Sequence, residues 1–427
     1  MDEPFSISFS FFISVLRNRQ KNLLFSCLIS TFAGNLKKMK KVLFINSKRP
    51  YPIIDGASIG TCQYLELFHR LGYETDLLYI SENEDEEIVN QGIGPLCHRI
   101  IHFRKTKILS FLSVLKGLLC NLLPIQVNYY YSSRIQEWVN SHYEDYDVIY
   151  CHNIRTAEYA RYLQKYKILN IVDSFSMNYE SAKTKTHGLW HWIYSIDAVR
   201  CAKYEQVLLG VFDKKLIVSE VDRDFIVKKA QQSVDISVIE NSVEVDEGKR
   251  IDNNAEEHNL VFVGAMNYEP NITAVKHFCQ NVLPSIVRVF PDVMFYIVGK
   301  TPSPDVEALS SENVIVTGFV DDIWTYQKKA SVVVAPMLSG SGIQNKILQA
   351  LAVGACVVTT PDGFGGLKSD IGQPFVVEND ADMISCITDL LANPDLRCQQ
   401  GDLSVQYVKK YYSKDVICKK FKDFLDS

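Results

Sequence analysis

The chemistry of this chain concentrates in one segment, SGSGIQNKILQALAVG, residues 339 to 354. An apolar run, SVVVAPM (331 to 337), leads into it, and ACVVTT (355 to 360) follows. Ser339, Gly340, Ser341 and Gly342 form a loop small enough for a ligand to approach the backbone. The pattern predicts a helix from Gly342 to about Val353. The first turn of a helix has N–H groups without intrahelical partners at the positive end of its dipole, which suits an anion. Lys346, one turn in, adds a cation that suits a diphosphate. The alternative is an ordinary strand–loop–helix joint whose glycines only make the turn.

Elements on both sides must position this segment. From Met39 onward, short apolar runs alternate with amphipathic stretches, the pattern of parallel sheets covered by helices. The first half has runs at 42 to 46, 75 to 80, 147 to 151, 168 to 173 and 215 to 219. Helices are predicted at 61 to 72, 133 to 143 and 157 to 166, with Gly72 as a C-cap. Residues 244 to 259 carry almost no apolar side chain and read as a linker. The pattern then restarts with strands at 260 to 264, 293 to 299, 314 to 320, 331 to 337 and 355 to 360. A long helix is predicted over 272 to 290, where Ile272, Val275, Phe278, Val282, Ile286 and Phe290 share a face.

The expected architecture is α/β, with two doubly wound Rossmann-like domains facing a cleft. The expected divisions are an extension (1–38), an N-terminal domain (39–245), a linker (246–258), a second domain (259–405) and a C-terminal helix (406–427). Ligands in such folds bind at the carboxyl ends of the strands. The Leu-rich stretch 107 to 125 is either a helix packed on the sheet or a face that rests on a membrane.

Composition narrows the function. The 427 residues are 47% hydrophobic and 22% charged, as in globular proteins. The net charge of −5 argues against sequence-independent nucleic-acid binding, which needs a basic face. The eleven cysteines are scattered from Cys27 to Cys418, with neither CxxC nor zinc-ligand spacing, and read as thiols in a reducing compartment. The two apolar runs before Met39 are split by RNRQKN, and each is shorter than the roughly 20 residues of a membrane helix. Neither VLFINSKRPYP nor LVFVGAMNYEP carries the GxGxxG fingerprint of a nicotinamide-dependent dehydrogenase.

The segment around GIQNK resembles the donor site of retaining family-four glycosyltransferases with the GT-B fold, and more closely the exosortase-associated sugar transferases. RPYPIIDGASI (49 to 59), LVFVGAMNYEPNITAVKHF (260 to 278), FYIVGKTPSPDVEAL (295 to 309) and VTGFVDDI (316 to 323) agree with it. The resemblance implies transfer of a sugar from a nucleotide-diphosphate donor to a glycan or lipid-linked acceptor in surface polysaccharide synthesis. It implies no metal and no cofactor, and a cytoplasmic protein, with peripheral contact to the inner face of the membrane as an option.

Carried over position by position, the resemblance implies that Asp55 and Gly56 approach the donor phosphates, although the family's two glycines are only partly matched by DGA. His152 would face the reacting sugar; a satisfied strand-end histidine is the alternative. Gly264 would leave room for the nucleotide, and Gly342, Ile343, Gln344 and Lys346 would surround the diphosphate. The family's two glutamates, eight positions apart, correspond to Ser341 and Gln349. An amide accepts ribose hydroxyls through one neutral oxygen where a carboxylate offers two charged ones. A nucleotide-sugar-binding protein with impaired turnover is therefore one rival, and a sugar-nucleotide epimerase is a second. Asp173, at the end of the 168 to 173 run, either orients an acceptor or caps the following helix.

Overall fold

In a computed structural model of the chain, the apolar runs form two parallel sheets with helices on their faces. The structure describes residues 39–427 apart from 54–55, 231–233, 246–257 and 340–341. The expected extension, nearly all of the expected linker, Asp55 and Ser341 lie outside the described residues. Lys41–Ser427 make one compact unit.

The first sheet has seven strands: β1 (Lys41–Asn46), β2 (Glu74–Ser81), β3 (Arg99–Arg104), β4 (Val148–His152), β5 (Lys167–Asn170), β6 (Lys214–Ile217) and β7 (Ser237–Val238). Their order is β3-β2-β1-β4-β5-β6-β7. The second sheet has β8 (Asn259–Val263), β9 (Met294–Val298), β10 (Val314–Gly318), β11 (Val332–Ala335), β12 (Val357–Thr359) and β13 (Phe375–Val376), in the order β10-β9-β8-β11-β12-β13. Strand order reverses between β1 and β4 in one sheet and between β8 and β11 in the other. Such reversals open a crevice at the carboxyl ends. In the first sheet, Asn46 pairs with His152 at that reversal. This is the GT-B arrangement of two α/β halves.

Seven helices matter for the site. They are α1 (Gly56–Arg70), α2 (Lys107–Cys120), α3 (Phe175–Lys185), α4 (Gly188–Leu209), α5 (Glu220–Lys229), α6 (Asn345–Ala352) and α7 (Lys414–Asp426). The C-terminal α7 returns to the first sheet. Its Phe421 meets Phe68 and Tyr64 of α1 edge-on, with ring centroids 5.0 and 5.5 Å apart. Ile417, Phe421 and Phe424 join the core formed by Phe44, Tyr64 and Phe68. Burial of each such side chain stabilises by about 1.5–3 kcal/mol, so this last helix ties the end of the chain to the N-terminal half.

Several expectations are corrected. No α-helix forms over 157 to 166. A 3-10 turn covers Ile154–Tyr159, because Asn153 takes φ 76° and the chain must return at once to β5. The predicted strand 168 to 173 ends at Asn170, where the chain turns sharply. The helix of 272 to 290 is interrupted by a π-turn at Phe278–Val282. Pro284, just beyond, has no N–H to continue the helical ladder. The helix expected from Gly342 starts at Asn345, since Gly342 takes φ 69°. Strand β3 escaped the sequence reading because Arg and His residues interrupt its apolar pattern at the sheet edge.

Helix α2 is inside out. Its small residues Ser110 and Gly117 face the protein, and a Cβ on Gly117 would lie 2.2 Å from Asn128. Its bulky apolar residues face outward, with Leu119 and Leu122 just beyond its end 83% and 78% exposed.

Candidate active site

The cleft between the two sheets encloses about 450 Å³. From the first half come Lys48 and Arg49 after β1, the start of α1, and the ends of β4, β5, β6 and β7. Tyr268, Gly342, Ile343 and Asn345 face them from the second half. The side chain of Asn46 pins the loop after β1, donating to Lys48 O at 2.9 Å and to Thr61 Oγ1 at 3.2 Å.

His152 lies in this cleft, at the end of β4. Asn170 sets its tautomer. Val172 N donates to Asn170 Oδ1 at 2.9 Å, which turns the Asn170 amide toward His152 Nδ1, 3.5 Å away. Nδ1 therefore accepts, and the ring proton sits on Nε2, the atom nearest Gly60. Burial, then the nearby Arg155 charge, pushes the imidazole down to about 3, so it is neutral at any working pH. A neutral Nε2–H is a hydrogen-bond donor to a sugar hydroxyl and does not serve as a charged acid.

The mouth of α6 opens into the same cleft. Its N-cap, Gln344, makes no side-chain cap hydrogen bond. Gly342 uses its positive φ to pass beside Asp222, with Oδ2 3.8 Å from where a Cβ would stand. Gly56 faces Asn345 across the cleft, where a Cβ would lie 3.7 Å from Asn345 Nδ2. Gly56, His152, Gly342 and Ile343 thus meet in one crevice.

Lys346, Gln344, Gln349 and Gly264 do not line it. Lys346 turns back against the second sheet, where Nζ donates to Asn271 Oδ1 at 2.6 Å and stands 4.4 Å from the Phe262 ring centre. Desolvation pushes its ammonium down to about 7. The residue keeps some surface exposure, but its ammonium is enclosed by these partners. The room left by Gly264 is filled by Asn271, whose Nδ2 lies 2.6 Å from where a Cβ would be. Asn271 thereby joins two sequence-predicted positions, Gly264 and Lys346. Gln349 is half-buried on α6.

The sequence reading missed Asn46, Arg49, Arg155, Asn170, Asn241 and Asn345. Their common signal is position: each ends or closely follows a strand, or opens the helix after one. Arg155 donates from Nε to Gln126 at 2.6 Å and lies over Phe175, 5.0 Å from its ring centre.

The matching family occupies the half that bears α6. Residues 257–393 match the family described as glycosyl transferases group 1. An uncharacterized 44.6 kDa protein from the cps region of Klebsiella pneumoniae is similar to the chain, 22% identical over 361 residues, covering 80% of this chain and 88% of its own. A variant of TarM from S. aureus, solved with fondaparinux, α-GlcNAc-glycerol and UDP, has a similar fold (TM-score 0.66, 11% identity, 91% of this chain and 100% of that one). So does Anabaena HepE, solved with UDP and glucose (TM-score 0.63, 12% identity, 91% and 99%). Within the matched residues, Gly342, Ile343 and Asn345 of the GIQNK segment face the cleft.

Proposed function

We propose that this cleft binds a nucleotide-diphosphate sugar and transfers its sugar, with retention at the anomeric carbon, to a glycan or lipid-linked acceptor. The observation that carries the reading is the meeting of the uncapped mouth of α6 with the switch-point ends of β1 and β4 in one crevice. The diphosphate rests against the amides around Gly342, Ile343 and Gln344, with Lys346 behind them. Charge growing on the leaving diphosphate is stabilised by the helix mouth, and Lys346, enclosed by Asn271 and Phe262, contributes only its charge from behind the amides. His152 donates its Nε2 proton in a hydrogen bond to the sugar. Arg49 and Arg155 supply positive charge from the opposite wall.

The relative from a cps region and the UDP complexes of TarM and HepE support a role in surface polysaccharide synthesis with a nucleotide donor. The outward apolar face of α2 supports work at the inner face of a membrane, where a lipid-linked acceptor resides. Among the described residues no helix is long and apolar enough to cross a membrane. Gln349, in place of the family's glutamate, favours a second reading: a nucleotide-sugar binder with weakened turnover.

A thermal-shift screen of nucleotide sugars, followed by product analysis with the best donor, tests the reading. A donor at about 100 times its Kd raises stability by about 2.7 kcal/mol. Transfer to an added glycan supports the proposal. A shift without transfer supports the second reading, and interconversion of the free donor supports an epimerase.

A further inference from the structure

Asp173 reaches the cleft by an unusual route. After β5 the chain makes a γ-turn, in which Asp173 N donates to Ile171 O at 3.0 Å across Val172. Val172 takes φ 68°, a conformation that a β-branched residue rarely adopts. Such strain persists only where surrounding structure imposes it, and it clusters at functional sites. Here the Asn170 side chain imposes it by accepting from Val172 N. The same amide orients His152, so one asparagine aims both side chains into the crevice.

Asp173 does not cap the helix that follows. Ser174 is the N-cap of α3, its hydroxyl accepting from Met177 N at 3.2 Å. Glu205 and Asp222 serve the local backbone instead, taking Ser176 N and Ser174 N. Asp173 receives one donor, Asn178 Nδ2 at 2.7 Å, and among the described residues no other side chain donates to it. It lines the cleft beside Arg155, and Tyr268 of the second half contributes its exposed ring to the same lining.

We propose that Asp173 accepts a hydrogen bond from a hydroxyl of the acceptor sugar and orients that sugar in the cleft opposite Tyr268. A carboxylate with an unused oxygen suits a hydroxyl donor, and an aromatic face suits the apolar side of a sugar ring. Asn178 is a positioning residue that holds the carboxylate in place. The inference rests on the transferase reading above, but the two fail differently.

The test uses the full chain, UDP and UDP-glucose as donor-site probes, and octyl β-glucoside as acceptor probe. Binding of the glucoside to the UDP-loaded protein is followed by saturation-transfer NMR. Asp173→Asn is expected to weaken the glucoside about tenfold or more, with UDP and UDP-glucose held within about twofold of the parent. Asn178→Ala, which keeps the carboxylate, is expected to give a smaller loss of the same kind. Glucoside binding that is equal in parent and Asp173→Asn, or absent from the parent, overturns the proposal. So does a loss of UDP-glucose binding that matches the glucoside's, which would place Asp173 at the donor sugar or in the fold. Failure of the parent to bind any nucleotide sugar counts instead against the transferase reading.

Discussion

Asn241, at the end of the first sheet, donates its side-chain amide to Asn345 Oδ1 at 2.7 Å, across the seam between the two halves. Asn345 opens α6, so the bond ties the mouth of the candidate donor helix to the opposite domain. Asn345→Ala leaves the buried Asn241 amide without its acceptor, at a cost of about 1–3 kcal/mol. A lowered urea midpoint measures this. The Asn241→Ala, Asn345→Ala pair should be non-additive by at least about 0.5 kcal/mol, because each single change already removes the shared bond.

Lys346 gives a pH prediction with a definite sign. Its desolvated ammonium is held down to about 7, and a diphosphate nearby raises that value again. Nucleotide binding then takes up a proton, so UDP affinity falls as the pH is raised from about 7 toward 9. Without ligand, the unfolded chain holds a proton on this lysine that the folded chain releases above pH 7. Stability from this group alone therefore rises with pH across that window. Titration calorimetry at several pH values reads the effect. Lys346→Met, which removes the charge but no direct contact to the cleft, should abolish the slope and weaken UDP a few-fold.

His152 should show no titration of its own near neutrality. Its imidazole stays neutral down to about 3, so rate profiles between pH 5 and 8 carry no inflection from it. His152→Ala removes the Nε2–H donor and is expected to lower kcat by about 10²-fold, with UDP affinity unchanged. Steady-state kinetics at saturating donor check this.

Gln349→Glu should tighten nucleotide-sugar binding several-fold, since a carboxylate accepts ribose hydroxyls more strongly than an amide. Thermal shift with UDP-glucose measures the change. Equal affinities would mean that Gln349 does not meet the ribose.

The outward face of α2 predicts vesicle binding. A Leu112→Asp, Leu119→Asp variant should lose co-sedimentation with anionic lipid vesicles and keep UDP affinity within about twofold. Both residues are exposed, so the fold loses little.

Much of this architecture was legible in the sequence. Fully buried strands such as VLFIN and VVVA read as continuous apolar runs, and the glycine-rich loop before α6 announced itself by composition. The register of the site was less legible. His152 declared itself only through resemblance, and Arg155 and Asn170 not at all, because their roles depend on the Asn46–His152 pairing and the Val172 turn. Lys346 shows the limit most clearly. Helical spacing placed it beside the mouth of α6, but only the packed structure shows its ammonium held by Asn271 and Phe262.

The central claim is that a diphosphate sits against the mouth of α6 inside the interdomain cleft. A crystal structure of the protein with UDP tests it most directly. The account predicts phosphate oxygens within about 2.7–3.2 Å of backbone N–H groups among Gly342, Ile343, Gln344 and Asn345. UDP bound at another surface, with those amides left to solvent, would contradict it.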